Sequence, residues 1–180
     1  MTRAEILVVL IVFAIVGGGI YWWFLPTAQD ELAEGFAPHI DAYLEQTKHI
    51  VDQQDDSGIS SSPLGDKTVA IDARKKTLDA IHAILPDRYR ASTPAEANTV
   101  VLVDCERTKS ASYGAGKDAY SLDCRLQSFD LKLKKIVWQG HVSNSPPRSV
   151  WFPIPLLDVV ADRPNQAMVD LLVQEPPTRD

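Results

Sequence analysis

The chain has 180 residues, room for one domain and an anchor rather than for two domains. Its 18 Lys and Arg stand against 24 Asp and Glu, a formal net charge of -6. An acidic chain repels phosphate backbones and gains nothing from counterion release, which argues against a nucleic-acid partner and against docking flat on anionic lipid.

Residues 1–5 are a short tail carrying Arg3 and Glu5, and residues 6–25 read ILVVLIVFAIVGGGIYWWFL without a charge. At about 1.5 Å per residue such a helix spans a hydrocarbon core of roughly 30 Å, which predicts a single transmembrane helix. Tyr21, Trp22 and Trp23 sit at one end, where amphipathic rings favour the interface, and Pro26 stops the helix. A cleaved signal peptide would need a small-residue site after the apolar run, and YWWFLPTAQ is too bulky. No Cys follows at a lipoprotein position. Arg3 and the terminal amine precede the span, while Asp30, Glu31 and Glu34 follow it. The positive-inside rule then places the N-terminus in the cytoplasm and residues 26–180 across the membrane, in a periplasmic or otherwise extracytoplasmic space. Losing Arg3 and Glu5 removes one charge of each sign, so the external part keeps the full -6. Within the span Ala14 and Gly18 form a small-xxx-small pair that lets a second helix approach closely.

Residues 26–53 form a juxtamembrane helical segment. Thr27 and Asp30 give a start signal, and Leu32, Phe36, Ile40, Leu44, Thr47 and Val51 recur at helical spacing, widened by Tyr43 and Ile50. Pro38, close after Gly35, predicts a kink or a break. Residues 54–66, rich in Ser, Gly and Asp, are a linker. Residues 67–175 then carry the folded domain. Strands are predicted over 67–72, 98–106, 118–126 and 135–142, and helices over 74–85 and 165–173. Phe129 and Leu131 break the alternation of Tyr120, Leu122, Cys124 and Leu126, which predicts a bulge near Ser128. Residues 176–180 are a tail. The order predicts an α+β fold, a mainly antiparallel sheet covered by helices on one face.

Cys105 and Cys124 flank Gly114, Ala115 and Gly116 symmetrically. A hairpin turning there sets Cys105 opposite Cys124 and Val103 opposite Leu126. In an oxidising compartment the register favours a disulfide over two buried free thiols. Gly114 to Lys117 lacks the first glycine, the following Ser/Thr and the strand-to-helix setting of a phosphate loop, so it reads as a hairpin turn. His39, His49, His82 and His141 have no metal-ligand spacing and read as surface or interface side chains. Asp52, Asp55, Asp56 and Asp66 miss the spacing of a calcium loop. Pro146, Pro147 and Arg148, followed by Trp151, Phe152 and residues 153–157, form an extended apolar arm. It serves either as cover for the domain's own core or as a partner-docking edge. The pattern identifies no catalytic, cofactor-binding or metal-binding residue.

KTVAIDARKKTLDAIHAILPDRYRAS, TVVLVD, SYGAGKDAY leading to Cys124, KKIV and the Ser145-Pro146-Pro147-Arg148 run resemble a widespread group of bacterial envelope proteins. The match covers roughly residues 65–150 and the C-terminal helix. Members have a lipid- or helix-anchored extracytoplasmic domain without an assigned activity, so the resemblance implies compartment and fold alone. This chain departs in its helical stalk, in Cys105, and in residues 151–157, which replace a small, basic stretch. The function expected is therefore a non-enzymatic module that binds a protein partner, a second copy or an envelope assembly. The alternative is an envelope enzyme built around Tyr113, Tyr120, His141 and Arg148.

Overall fold

The computed structural model describes residues 28–53, 64–113, 117–147 and 158–173. The predicted span over 6–25, with Ala14 and Gly18, lies outside the described residues. Among those described, no helix is long and apolar enough to cross a membrane. The sheet and the described residues from Ala33 onward belong to one compact unit.

Helix α1, Ala28–Gln53, continues as one helix through Pro38, so of the kink or break expected there the break does not occur. Pro38 lies on the exposed side of the helix. The buried stripe is Phe36, Ile40, Tyr43, Thr47 and Ile50, whose steps of four and three hold one face. Leu44 is only half-buried and Val51 is exposed, so the apolar face is rotated from the one the sequence suggested.

Strand β1, Thr68–Asp72, turns into β2, Thr77–Leu78, and a short helix α2, Ala80–Ile84, follows. A helix over 74–85 was expected; only its second half forms. Asp72 Oδ1 accepts hydrogen bonds from the Arg74 and Lys75 amides at 3.1 and 3.0 Å, and this side-chain turn wins over a helix. Three long strands complete the meander: β3, Thr99–Tyr113; β4, Lys117–Asp130; and β5, Lys135–Asn144. A two-residue strand β6, Val159–Val160, and helix α3, Asn165–Val173, end the described chain. Helix α3 has the predicted bounds.

The fold is α+β, but the sheet is mixed. Its order is β2-β1-β3-β4-β5, with β6 beside β4. Strands β1 and β3 are parallel, because the chain crosses over through α2 and a 3-10 turn, Pro94–Glu96, before re-entering. Both faces are covered, not one. On the first face Ala70, Val101, Val103, Cys124 and Leu126 pack with Ile81 and Leu85 of the α2 segment and with Met168, Val169 and Leu172 of α3. On the second face Val69, Ile71, Val100 and Phe129 are fully buried. Helix α1 lies along that side. Asp41 approaches Lys76 at 3.8 Å, Tyr43 donates to the Pro94 carbonyl at 2.8 Å, and Ile50 shares a cavity wall with Leu131.

Covering both faces also explains Phe129, which reaches the second face by plain alternation along β4. The register does shift between Ser128 and Phe129, and the extra residue is Val137 on β5.

The β4–β5 turn repeats the device of the first hairpin. Asp130 Oδ1 accepts from the Lys132 and Leu133 amides, both at 2.8 Å. Each turn closes on a lysine in the left-handed region, Lys76 at φ 54° and Lys134 at φ 51°. A Cβ there costs about 1 kcal/mol, partly offset by glycine's greater freedom when unfolded. Lys134→Gly is therefore expected to stabilise the domain by about 0.5–1 kcal/mol in urea unfolding. A lower midpoint would show that the lysine side chain holds the turn.

Candidate functional site

Strand β1 supports β3 only as far as Val103, where Ala73 adds one further amide bond at 2.9 Å. Beyond it, residues 104–113 of β3 have β4 as their one strand neighbour among the described residues. On the other side of β4, β5 ends with Asn144 opposite Leu122, and β6 takes over opposite Ala119 and Tyr120. The β3 side of the β3–β4 hairpin therefore projects past β1, and residues 106–112 are exposed.

Cys105 and Cys124 are disulfide-bonded where that projection begins, with Cα atoms 4.0 Å apart. They are directly opposed, and Val103 faces Leu126, as the turn position predicted. Cys124 is buried in the first core and Cys105 packs at its rim. A covalent link across 19 residues narrows the unfolded ensemble and fixes the register at the base of the hairpin.

Polar contacts lock the far half. Lys109 Nζ meets Asp118 Oδ1 at 2.7 Å, and the Ser112 hydroxyl donates to the same oxygen at 2.9 Å. Lys109 and then Ser112 hold the Asp118 carboxyl below its ordinary range. Arg74 pairs with Asp104 and, at 3.5 Å, with Glu106, tying the first turn to the start of the projection.

A second polar group lies at the other side of the fold. The Asp79 side chain is wholly buried; Oδ1 accepts from the Ile81 amide at 2.9 Å and Oδ2 binds an Arg163 guanidinium nitrogen. Asp72 Oδ2 lies 4.0 Å from the other terminal nitrogen. Arg163 Nε and Asn165 Oδ1 are buried without hydrogen-bond partners. The group clamps the lead-in to α3 against β1 and the start of α2.

His82, expected at a surface, is fully buried instead. Its Nδ1 accepts from the Ala70 amide at 3.4 Å, Nε2 has no hydrogen-bond partner, and Phe36 packs against it with ring centroids 5.3 Å apart. Burial lowers its pKa to about 4, helped by the Arg90 charge and opposed by the Ala91 backbone. Its helical spacing with Leu78, Ile81 and Leu85 puts it on the apolar side, although the absence of metal-ligand spacing reads it as a surface or interface side chain. Asp79, which the expected helix over 74–85 placed in its interior, was not marked as a cap, nor was Arg163, 84 residues away, marked as its partner.

Of the residues of the enzyme alternative, Tyr120 and His141 lie on opposite faces of the sheet. Tyr120 alternates with Leu122 and Cys124 on the first face, whereas His141 pairs with Arg125 on the second, 3.8 Å from Asp123. Arg148, Trp151 and Phe152 lie outside the described residues. Pro146, half-buried, and Pro147, exposed, continue from β5 as irregular chain. A cavity of about 360 Å³ lies elsewhere, lined by Gln46, His49, Ile50, Leu131 and Lys134, and His49 is engaged with Glu45 at 3.4 Å. Among the described residues no three His, Cys, Asp or Glu side chains are grouped as metal ligands would be. No family model, curated protein or solved structure matches the chain.

Proposed function

We propose that this chain is a single-pass membrane protein whose extracytoplasmic domain is a non-enzymatic module for binding another protein. The anchor rests on the uncharged run over residues 6–25 and on the charges flanking it. The binding role rests on one observation, the exposed β3–β4 hairpin. Residues 104–113 leave one strand edge without a neighbouring strand among the described residues, and Cys105–Cys124 braces the base. An extended partner segment adds to such an edge through main-chain hydrogen bonds, while alternate side chains confer selectivity. Bracing stabilises the bound form because less order has to be gained on association.

A photo-crosslinking residue at Thr108, in the full chain expressed in cells, is expected to capture a discrete protein. The same residue at Lys132, in the turn at the opposite end of β4, is expected to capture none. Equal labelling at both positions, or none at Thr108, would sink the docking role. Protease added to spheroplasts of the same cells should remove the domain, and protection until lysis would reverse the orientation.

A further inference from the structure

Strand β5 is the outermost strand on its side of the sheet, and among the described residues no strand pairs with its outer edge. Open edges are templates for further pairing unless something blocks them. The other edges here are guarded against pairing with a second copy of themselves. β2 has two residues. The edge of β1 is closed by the Asp79 amide, which donates to the Ala70 carbonyl, and by His82, which accepts from the Ala70 amide. The outer part of β3, read above as the edge for a partner of different sequence, carries a register shift between Lys109 and Ala111 and bears Glu106, Arg107 and Lys109, which oppose pairing with a second copy of itself. By contrast, residues 136–144 of β5 contain no Asp, Glu, Lys or Arg.

The same stretch is self-complementary. In an antiparallel pair centred on Gly140, each Trp138 lies opposite Val142 of the other copy on the first face. Gln139 then lies opposite His141 on the second face. Trp138 and Val142 are only partly buried at the rim of the first core, so this pairing covers the apolar surface that the single chain leaves open. The Trp138 ring already lies across Gly140, where an added Cβ would come within 2.0 Å of it. Gly140 thus leaves room on the first face for the Trp138 ring of its own chain.

We propose that two copies of this chain pair β5 to β5, antiparallel about a two-fold axis at Gly140, to make one continuous sheet. Such an interface is isologous, so each contact occurs twice. It uses the side of the sheet away from the free β3 edge, and it stands whether or not the hairpin binds a partner.

The test uses the full chain purified in a mild detergent, with its mass followed by sedimentation over a concentration series. The unaltered chain is expected to be a dimer. Gln139→Lys with His141→Lys sets like charges opposite each other twice and is expected to raise the dissociation constant at least tenfold. Gln139→Lys with His141→Glu sets opposite charges there and is expected to restore the dimer, which also shows that the first substitution does not unfold the strand. A monomeric unaltered chain overturns the proposal. So does a dimer indifferent to both double variants, which would place association in the membrane span. Two monomeric double variants would overturn the register about Gly140.

Discussion

Asp79→Ala is expected to lower stability by about 3–5 kcal/mol, the largest loss foreseen for one polar side chain in this fold. Two effects add. The Ile81 amide loses its cap, a change usually amounting to about 1 kcal/mol. Arg163 then keeps only Asp72, at 4.0 Å, while its Nε is buried without a partner. An uncompensated guanidinium in that position is the larger part of the loss. Asp79→Asn keeps an oxygen for the cap and removes the charge, so it should fall between the two proteins. Urea unfolding of the three forms decides the matter. A loss for Asp79→Ala of about 1 kcal/mol, that of a cap alone, would show that the Arg163 contact does not help hold α3.

Acid should loosen the domain through His82. Its folded pKa lies near 4 because burial disfavours the charged ring. In the unfolded chain the ordinary value is 6.5. Between these values the unfolded state binds the extra proton, so stability rises with pH there. The contribution is complete above pH 6.5 and is lost progressively as pH falls towards 4, to a total of roughly 3 kcal/mol. Phe36 of α1 packs on the ring, so protonation strikes the contact between α1 and α2. His82→Met keeps an apolar filling and removes the proton site. Comparing unfolding free energies at pH 7 and pH 4.5 should give a steeper fall for the unaltered protein. Parallel lines for the two proteins would assign the acid sensitivity to carboxylates. Asp118 and Asp123, both held below the ordinary range, titrate lower and favour folding above it.

The features readable in the sequence are those whose cause is local. Strand β4 declared itself because Tyr120, Leu122, Cys124 and Leu126 alternate, and the position of Gly114 to Gly116 then set Cys105 against Cys124. Helix α3 was delimited by Pro164 and its own apolar spacing. The run over residues 6–25 is a property of composition, and the sequence alone supports it. Tertiary structure decided the rest. Strand β1 is buried on both faces, so its side chains show no alternation to reveal a second covering layer or a parallel neighbour in β3. His82 shares a helical face with Ile81 and Leu85 in the sequence, but what buries it is Phe36, from a segment more than forty positions earlier. Arg163 reaches Asp79 across 84 residues, and no local pattern predicts a partner at that separation. The uncharged outer edge of β5, with no strand beside it among the described residues, belongs to both levels. Its lack of charge is written in the sequence, but its place at the rim follows only from the strand order that packing selects.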